Sequence, residues 1–123
     1  PFSLTFLLSN FLIIVSWFFF ATAIEVLLKG SSRLLMWAPP IGLIYTAGLA
    51  LIQNSDSKYL IPIHVGVSWA LVNILLFYEI QKLNKNYQNK YIKFFAYLHL
   101  FSSVVWFCRA IFSQIYNLRI YFE

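Results

Sequence analysis

Charge is scarce in this chain. Only 11% of its 123 residues are Asp, Glu, Lys or Arg, and just 4 are acidic. Soluble domains carry about 25% charged residues. With 61% hydrophobic and 20% aromatic residues, too little polar side chain is present to coat a surface facing water. A soluble globular domain is excluded, and lipid is the natural solvent. Cysteine is nearly missing as well: the lone Cys108 rules out an intramolecular disulfide and leaves no basis for a cysteine metal site. The few carboxylates are too scattered to pair around Mg²⁺, and HExxH, GxSxG, CxxC and glycine-rich phosphate loops are all absent. No metal site and no intrinsic catalytic activity are therefore expected. Cys108 adjoins Arg109, but burial in an apolar helix opposes thiolate formation, so it reads as a structural thiol.

What the chain does have is long apolar runs. About 20 residues at 1.5 Å rise cross a hydrocarbon core of about 30 Å, and four such runs lie near residues 4–28, 34–53, 59–81 and 91–117. Pro1 stands in place of a start methionine. The first run lacks a basic leader with a small-residue cleavage motif, so it is expected to be a retained span rather than a signal peptide. The short connections "KGSSR", "NSDSK" and "KLNKNYQNK" make successive spans antiparallel neighbours. The expected fold is an all-α integral membrane protein, residues 1–123 forming one transmembrane domain of four helices in an up-down-up-down bundle. Loops one and three carry Lys29, Arg33, Lys82, Lys85 and Lys90, whereas loop two sets Asp56 against Lys58. The positive-inside rule puts loops one and three on the cytoplasmic or matrix side, in a bacterial cytoplasmic or mitochondrial inner membrane. Tyr59, Tyr78, Tyr87, Tyr91, Tyr116 and Tyr121 suit the interfaces. Trp17, Trp69 and Trp106 fall deeper, where an indole N–H needs a partner.

The second run opens on "MWAPPIGLIYTAGLALIQNS". Pro39 and Pro40 suit the first turn of a helix, where the missing N–H groups matter least. Ala38, Gly42, Thr46 and Ala50 recur every fourth position and form a small-residue stripe that admits another backbone closely, so this span is expected to be the central one. The stretch Trp37–Ala50 resembles the tryptophan-rich sensory protein (translocator protein) family, where a Trp-x-Pro-Pro element opens the second membrane helix. The resemblance stops there: four spans fit this chain instead of that family's five, and the longer first loop is missing. No membership in that family follows.

Ionisable residues inside a membrane are costly, which makes each a candidate site. Glu25 and Glu79 each lie near a basic loop and are expected as an inner-face acidic pair, bound to Lys29, Arg33 or Lys82, with cation binding as the alternative. His64 and Arg109 both lie toward the outer third, where they could share a polar pocket with Tyr45 and Gln114. His64 and His99 are the candidate cofactor ligands. Two histidines on one haem iron hold their nitrogens about 4 Å apart, yet these two differ in depth by about 10–15 Å at the helical rise. A haem or other tetrapyrrole is thus expected only with a partner subunit, and a hydrogen-bonded core histidine is the simpler reading.

Three functions compete. The first is an accessory or structural subunit of a larger, energy-transducing membrane assembly, respiratory or photosynthetic, with membrane lipids and other membrane subunits as partners. The second is a small homo-oligomeric transporter or channel using Glu25, Glu79, His64 and Arg109. The third is a lipid- or tetrapyrrole-binding membrane protein using the deep tryptophans. The basic segment "KLNKNYQNKYIK" reads as a topology determinant touching anionic headgroups, not as a nucleic-acid site.

Overall fold

The computed structural model describes residues 4–29, 33–56 and 58–115. Among them every regular element is helical: α1 (Leu4–Lys29), α2 (Ala38–Gln53), α3 (Ile61–Asn84) and α4 (Lys90–Ile115), with single 3-10 turns at Leu34–Trp37 and Lys58–Leu60 leading into α2 and α3. With its leading turn counted into α2, each helix is long and apolar enough to cross a membrane. Pro39 and Pro40 start α2 as their missing donors require, and Pro62 does the same for α3. Pro62 therefore sets the start of α3 at Ile61 rather than at 59. At the other end, α3 continues through Lys82 to Asn84, because nothing in "QKLN" breaks a helix. Positions 116 and 117 of the expected fourth span lie outside the described residues, as do Tyr116 and Tyr121.

The buried positions recur mainly at steps of three, four or seven. They include Leu7, Ile14, Phe18, Ala21 and Glu25 on α1, and Ala38, Gly42, Tyr45 and Leu49 on α2. On α3 the run is Pro62, Gly66, Trp69, Asn73, Leu76, Ile80 and Leu83; on α4 it is Ala96, His99, Ser103, Ala110 and Ser113. A seven-residue repeat of this kind keeps one narrow seam facing its neighbours, as in left-handed bundles. The opposite faces carry Phe20, Leu27, Leu51, Phe94 and Phe101, all exposed.

The central helix is α3, not α2. Its backbone comes close to all three others, and it buries eleven residues where α2 buries four. The small stripe of α2 serves a different purpose: a Cβ at Gly42 would sit 2.8 Å from the ring of Phe11, so glycine lets α1 lay an aromatic side chain on the α2 backbone. The tightest seam joins α3 to α4, and its closest point is Gly66. A Cβ there would lie 2.6 Å from the Ala110 Cβ and 2.8 Å from the Trp106 carbonyl oxygen.

Polar loops fasten the ends. Asn84 and Asn89 exchange hydrogen bonds across the α3–α4 turn (3.0 and 2.9 Å), and Asn89 Oδ1 then accepts from the Tyr91 and Ile92 N–H groups that open α4. Gln88 takes the left-handed conformation (φ 47°) inside this turn. Tyr87 Oη donates to the Leu28 carbonyl at 2.6 Å, which brings the third loop to the end of α1 that leads into the first. At the opposite end Gln114 Nε2 donates to the Tyr59 carbonyl at 3.3 Å. The pair α1–α4 stays nearly apart along its length, and a cleft opens between these two helices.

Candidate functional site

The cleft has a volume of about 370 Å³ and is walled by Trp17 and Phe20 from α1 and by Phe95, Leu98 and His99 from α4, with Ser16 and Ser102 contributing small polar groups. Its size falls within the usual range for small-molecule sites, about 300–1,000 Å³, and a mostly apolar wall with few polar groups is the usual lining. Trp17 meets Trp69 edge-on with centroids 5.4 Å apart, and it meets the His99 ring at 5.6 Å. The Phe95 ring stands perpendicular to His99 at 4.9 Å. Three aromatic side chains thus fix the floor and walls before any ligand arrives.

The polar centre of the cleft is His99, which is 4% exposed. Its protonation pattern follows from one neighbour. Asn73 Nδ2 donates to the Trp69 carbonyl at 2.8 Å, which leaves Asn73 Oδ1 facing His99 Nδ1 at 2.7 Å. An amide oxygen only accepts, so Nδ1 carries the hydrogen, and in the neutral ring Nε2 is left as a bare acceptor. Among the described residues no hydrogen-bond partner reaches Nε2, and the atom is buried. Asn73 of α3 holds the Nδ1 edge of the ring, and His99 lines the cleft.

Three other buried polar atoms also lack partners: the Thr22 and Thr46 hydroxyl oxygens and Gln53 Oε1. The hydroxyls can rotate onto their own helix carbonyls, and Gln53 is the last residue of α2. His99 has neither option, since its ring is pinned by Asn73 and lies well inside α4.

A second polar group joins α1, α2 and α3. Tyr45 Oη donates to Asn10 Oδ1 at 3.2 Å and accepts from Trp69 Nε1 at 3.3 Å. His64 stacks on the Tyr45 ring with centroids 5.2 Å apart, and its Nε2 lies 2.9 Å from the Tyr45 carbonyl. A carbonyl accepts only, so here Nε2 is the protonated nitrogen, the reverse of His99. Gly48 makes room for this arrangement, because any Cβ at that position would run into the imidazole. Tyr45 and His64 also border a shallower groove of about 240 Å³ between α2 and α3.

The expected pocket of His64, Arg109, Tyr45 and Gln114 is therefore only half assembled. His64 and Tyr45 meet, whereas Arg109 is exposed on α4 with its guanidinium 5.2 Å from the Trp106 ring, and Gln114 ties down the second loop. The depths of these residues agree but their helical phases do not: Arg109 precedes the buried Ala110, a turn of about 100° off the seam. Exposed Cys108 lies farther round the same outward side.

The acidic pair does not form either. Glu25 is buried, and its Oε1 accepts from the main-chain N–H of Arg33 and of Leu34, the latter at 3.0 Å. The carboxyl caps the turn that opens the second span, and it meets the backbone of Arg33 rather than its side chain. Glu79 is half-buried on α3 with no contact to Glu25 among the described residues. His64 and His99 are also kept apart. His99 is level with Asn73, nine residues beyond His64 on α3, which is about 13 Å at the helical rise. No group of three or more His, Cys, Asp or Glu among the described residues could hold a metal ion.

No known protein family, curated protein or solved structure matches this chain. The resemblance at Trp37–Ala50 stays a local one, and its prolines and glycines are accounted for by the start of α2 and by the packing of Phe11 and His64. The sequence singles out His99 without joining Asn73 to it, although its spacing carries a signal. Asn73 lies eleven residues before the end of α3 and His99 nine after the start of α4, and similar distances from a hairpin turn place two residues at nearly the same level.

Proposed function

We propose that the chain is an integral membrane protein whose four helices cross the bilayer up-down-up-down as one domain, and that it works by holding a small apolar ligand in the cleft between α1 and α4. The observation that carries this reading is the pinned His99: a buried acceptor with no partner, in the wall of an otherwise apolar cavity. Leaving such a group unmet costs about 1–3 kcal/mol, and a ligand that supplies a donor recovers that loss. The deep tryptophans fit the same picture, since Trp17 lines the cleft and Trp69 supports it.

The sidedness proposed from charge also holds together with the packing. Loops one and three share one end through the Tyr87–Leu28 bond, and Lys85, Lys90 and Lys93 ring a dent of about 480 Å³ beside Tyr97 at that end. Basic pockets of this kind suit anionic lipid headgroups on the cytoplasmic or matrix face. The membrane is a bacterial cytoplasmic or mitochondrial inner one.

The subunit reading is kept as a second proposal, because the cleft opens sideways between two helices, where a neighbouring chain of a larger assembly would stand. The transporter reading finds no support in the geometry: Glu25 is occupied by backbone, Glu79 stands separately, and Arg109 faces outward.

The test is native mass spectrometry of the protein extracted from its own membrane in mild detergent. The expected result is a retained small molecule that is lost in Ser102→Phe, which fills the cleft without touching the α3–α4 seam. An unchanged set of bound molecules in that variant would refute the cleft as the site. Migration of the extracted protein within a large complex would support the subunit reading.

A further inference from the structure

We infer that the cleft selects flat rings that donate a hydrogen bond, namely phenols or quinols, over the matching quinones, ketones or ethers. This rests on the reading of the chain as a ligand-holding membrane protein and adds the chemical class that the site takes.

Selection comes from the direction of one hydrogen bond. Asn73 has its amide nitrogen committed to the Trp69 carbonyl, so its oxygen must face His99, and Nδ1 must donate. The ring therefore presents Nε2 as an acceptor, and it cannot exchange the two roles without breaking the 2.7 Å bond to Asn73. A quinone or an ether brings only acceptors and would oppose lone pair to lone pair. A hydroxyl brings the hydrogen that the site lacks.

The walls choose the rest of the molecule. Trp17, Phe20 and Phe95 offer aromatic faces and edges, which pack best against a flat ring at about 4.5–7 Å between centroids. Two serines also line the cleft: the Ser16 hydroxyl already donates to the Ile13 carbonyl at 2.7 Å, and Ser102 can turn its hydroxyl onto a carbonyl of its own helix. Among the described residues no carboxyl, lysine or arginine lines the cleft, so a charged ligand finds no partner in these walls. The lateral opening gives entry from the hydrocarbon, where apolar phenols and quinols dissolve.

The same bare Nε2, backed by an amide oxygen on Nδ1, is also how a histidine is prepared to bind a metal. The packing favours the hydroxyl. A hydroxyl needs only one atom's room at Nε2, which is covered in the unliganded cleft and is opened by a small shift of a wall side chain, whereas a tetrapyrrole iron about 2 Å from the nitrogen would bring a whole macrocycle into the space held by Trp17 and Phe95, whose centroids lie 5.6 and 4.9 Å from that of His99.

The experiment uses the full chain in nanodiscs, with empty nanodiscs subtracted to remove partitioning into lipid. Calorimetric titration compares a naphthol with its methyl ether, two rings that differ only in the donor and are not redox-active under the assay. The naphthol is expected to bind about tenfold more tightly, the scale of one buried hydrogen bond. In His99→Leu the two probes are expected to bind alike. In Asn73→Leu, which frees the ring to change tautomer, the preference is expected to fall while circular dichroism reports the same helix content. Asn73→Asp, which still accepts from Nδ1, is expected to keep it. Nitrogen-15 labelling of histidine adds a direct readout, since the Nε2 resonance of His99 should move with the naphthol and not with the ether.

Equal binding of the two probes to the unaltered protein would overturn the donor class and leave the cleft standing as an apolar site. Failure of either probe to bind above the empty nanodisc would overturn the ligand-holding reading itself. Binding of haemin with a His99-dependent Soret shift, and without a naphthol preference, would assign Nε2 to a metal instead and refute the proposal.

Discussion

Replacing Gly66 by alanine tests the seam on which the cleft depends. The added Cβ would lie 2.6 Å from the Ala110 Cβ and 2.8 Å from the Trp106 carbonyl oxygen, while carbon contacts are most favourable near 3.5–4.0 Å. One neighbour is main chain, so no rotamer change relieves it, and α3 and α4 must part by about 1 Å at this point. Overpacking of this kind costs about 1–3 kcal/mol. Alanine regains up to about 1 kcal/mol of helix propensity over glycine, which leaves a net destabilisation of about 1 kcal/mol at the middle of these ranges. Thermal unfolding in mild detergent, followed by tryptophan fluorescence, measures it well because Trp69 and Trp106 stack beside the clash with centroids 5.8 Å apart. Adding Ala110→Gly removes the Cβ contact and leaves the carbonyl contact, so the double variant should recover part of the loss. A coupling of at least about 0.5 kcal/mol is the expected sign of direct contact. A neutral or stabilised Gly66→Ala, or strictly additive effects, would refute the close approach of the two helices.

Glu25→Leu is expected to lower stability by about 2–3 kcal/mol, because two main-chain donors lose their acceptor, while Glu79→Gln should stay within about 0.5 kcal/mol; the reverse order in detergent unfolding would remove the capping role of Glu25. Tyr45→Phe strands both Asn10 Oδ1 and Trp69 Nε1, which predicts a loss of about 1–3 kcal/mol in the same assay, and a neutral result would dissolve that network. Changing Lys85, Lys90 and Lys93 to glutamine should weaken the preference for anionic over zwitterionic vesicles by about fivefold per lysine at low salt. An unchanged preference would move headgroup contact away from the α3–α4 turn.

Depth was legible in the sequence, and azimuth was not. Apolar runs bounded by Lys, Asn and Ser located all four helices, and Pro39 and Pro40 marked where the second starts. Counting residues from each turn also placed His64 level with Arg109 and far from His99. What counting cannot supply is the side of the helix, because outward-facing positions such as Phe94, Phe101 and Leu51 are as apolar as those facing the core. The usual contrast between a wet and a dry face is missing, so the polar residues that mark the seam look like scattered candidate sites. Arg109 was assigned to a pocket on depth alone and stands on the outward side. Glu25 was assigned to a cation partner, yet main-chain donors at the next helix start lie closer than any side chain. The seven-residue spacing of Pro62, Gly66, Trp69, Asn73, Leu76, Ile80 and Leu83 was the signal that could have set the phase of α3, and the stripe of four-spaced small residues in α2 drew attention from it.

The pairing of Asn73 with His99 is not demanded by the fold. The α3–α4 seam already has its close contact at Gly66, its aromatic stack at Trp69 and Trp106, and its turn locked by Asn84 and Asn89. Replacing both members of a buried polar pair by apolar groups of similar shape is nearly neutral or stabilising, so two leucines would serve the packing at least as well. Instead, an amide fixes an imidazole so that its second nitrogen is left unmet. If stability were the only requirement, a double change of Asn73 and His99 to leucine should raise the unfolding temperature and leave every bound molecule in place. On the reading developed above it raises or preserves stability and empties the cleft. Those two measurements on one variant separate a histidine that holds helices together from one that holds a ligand.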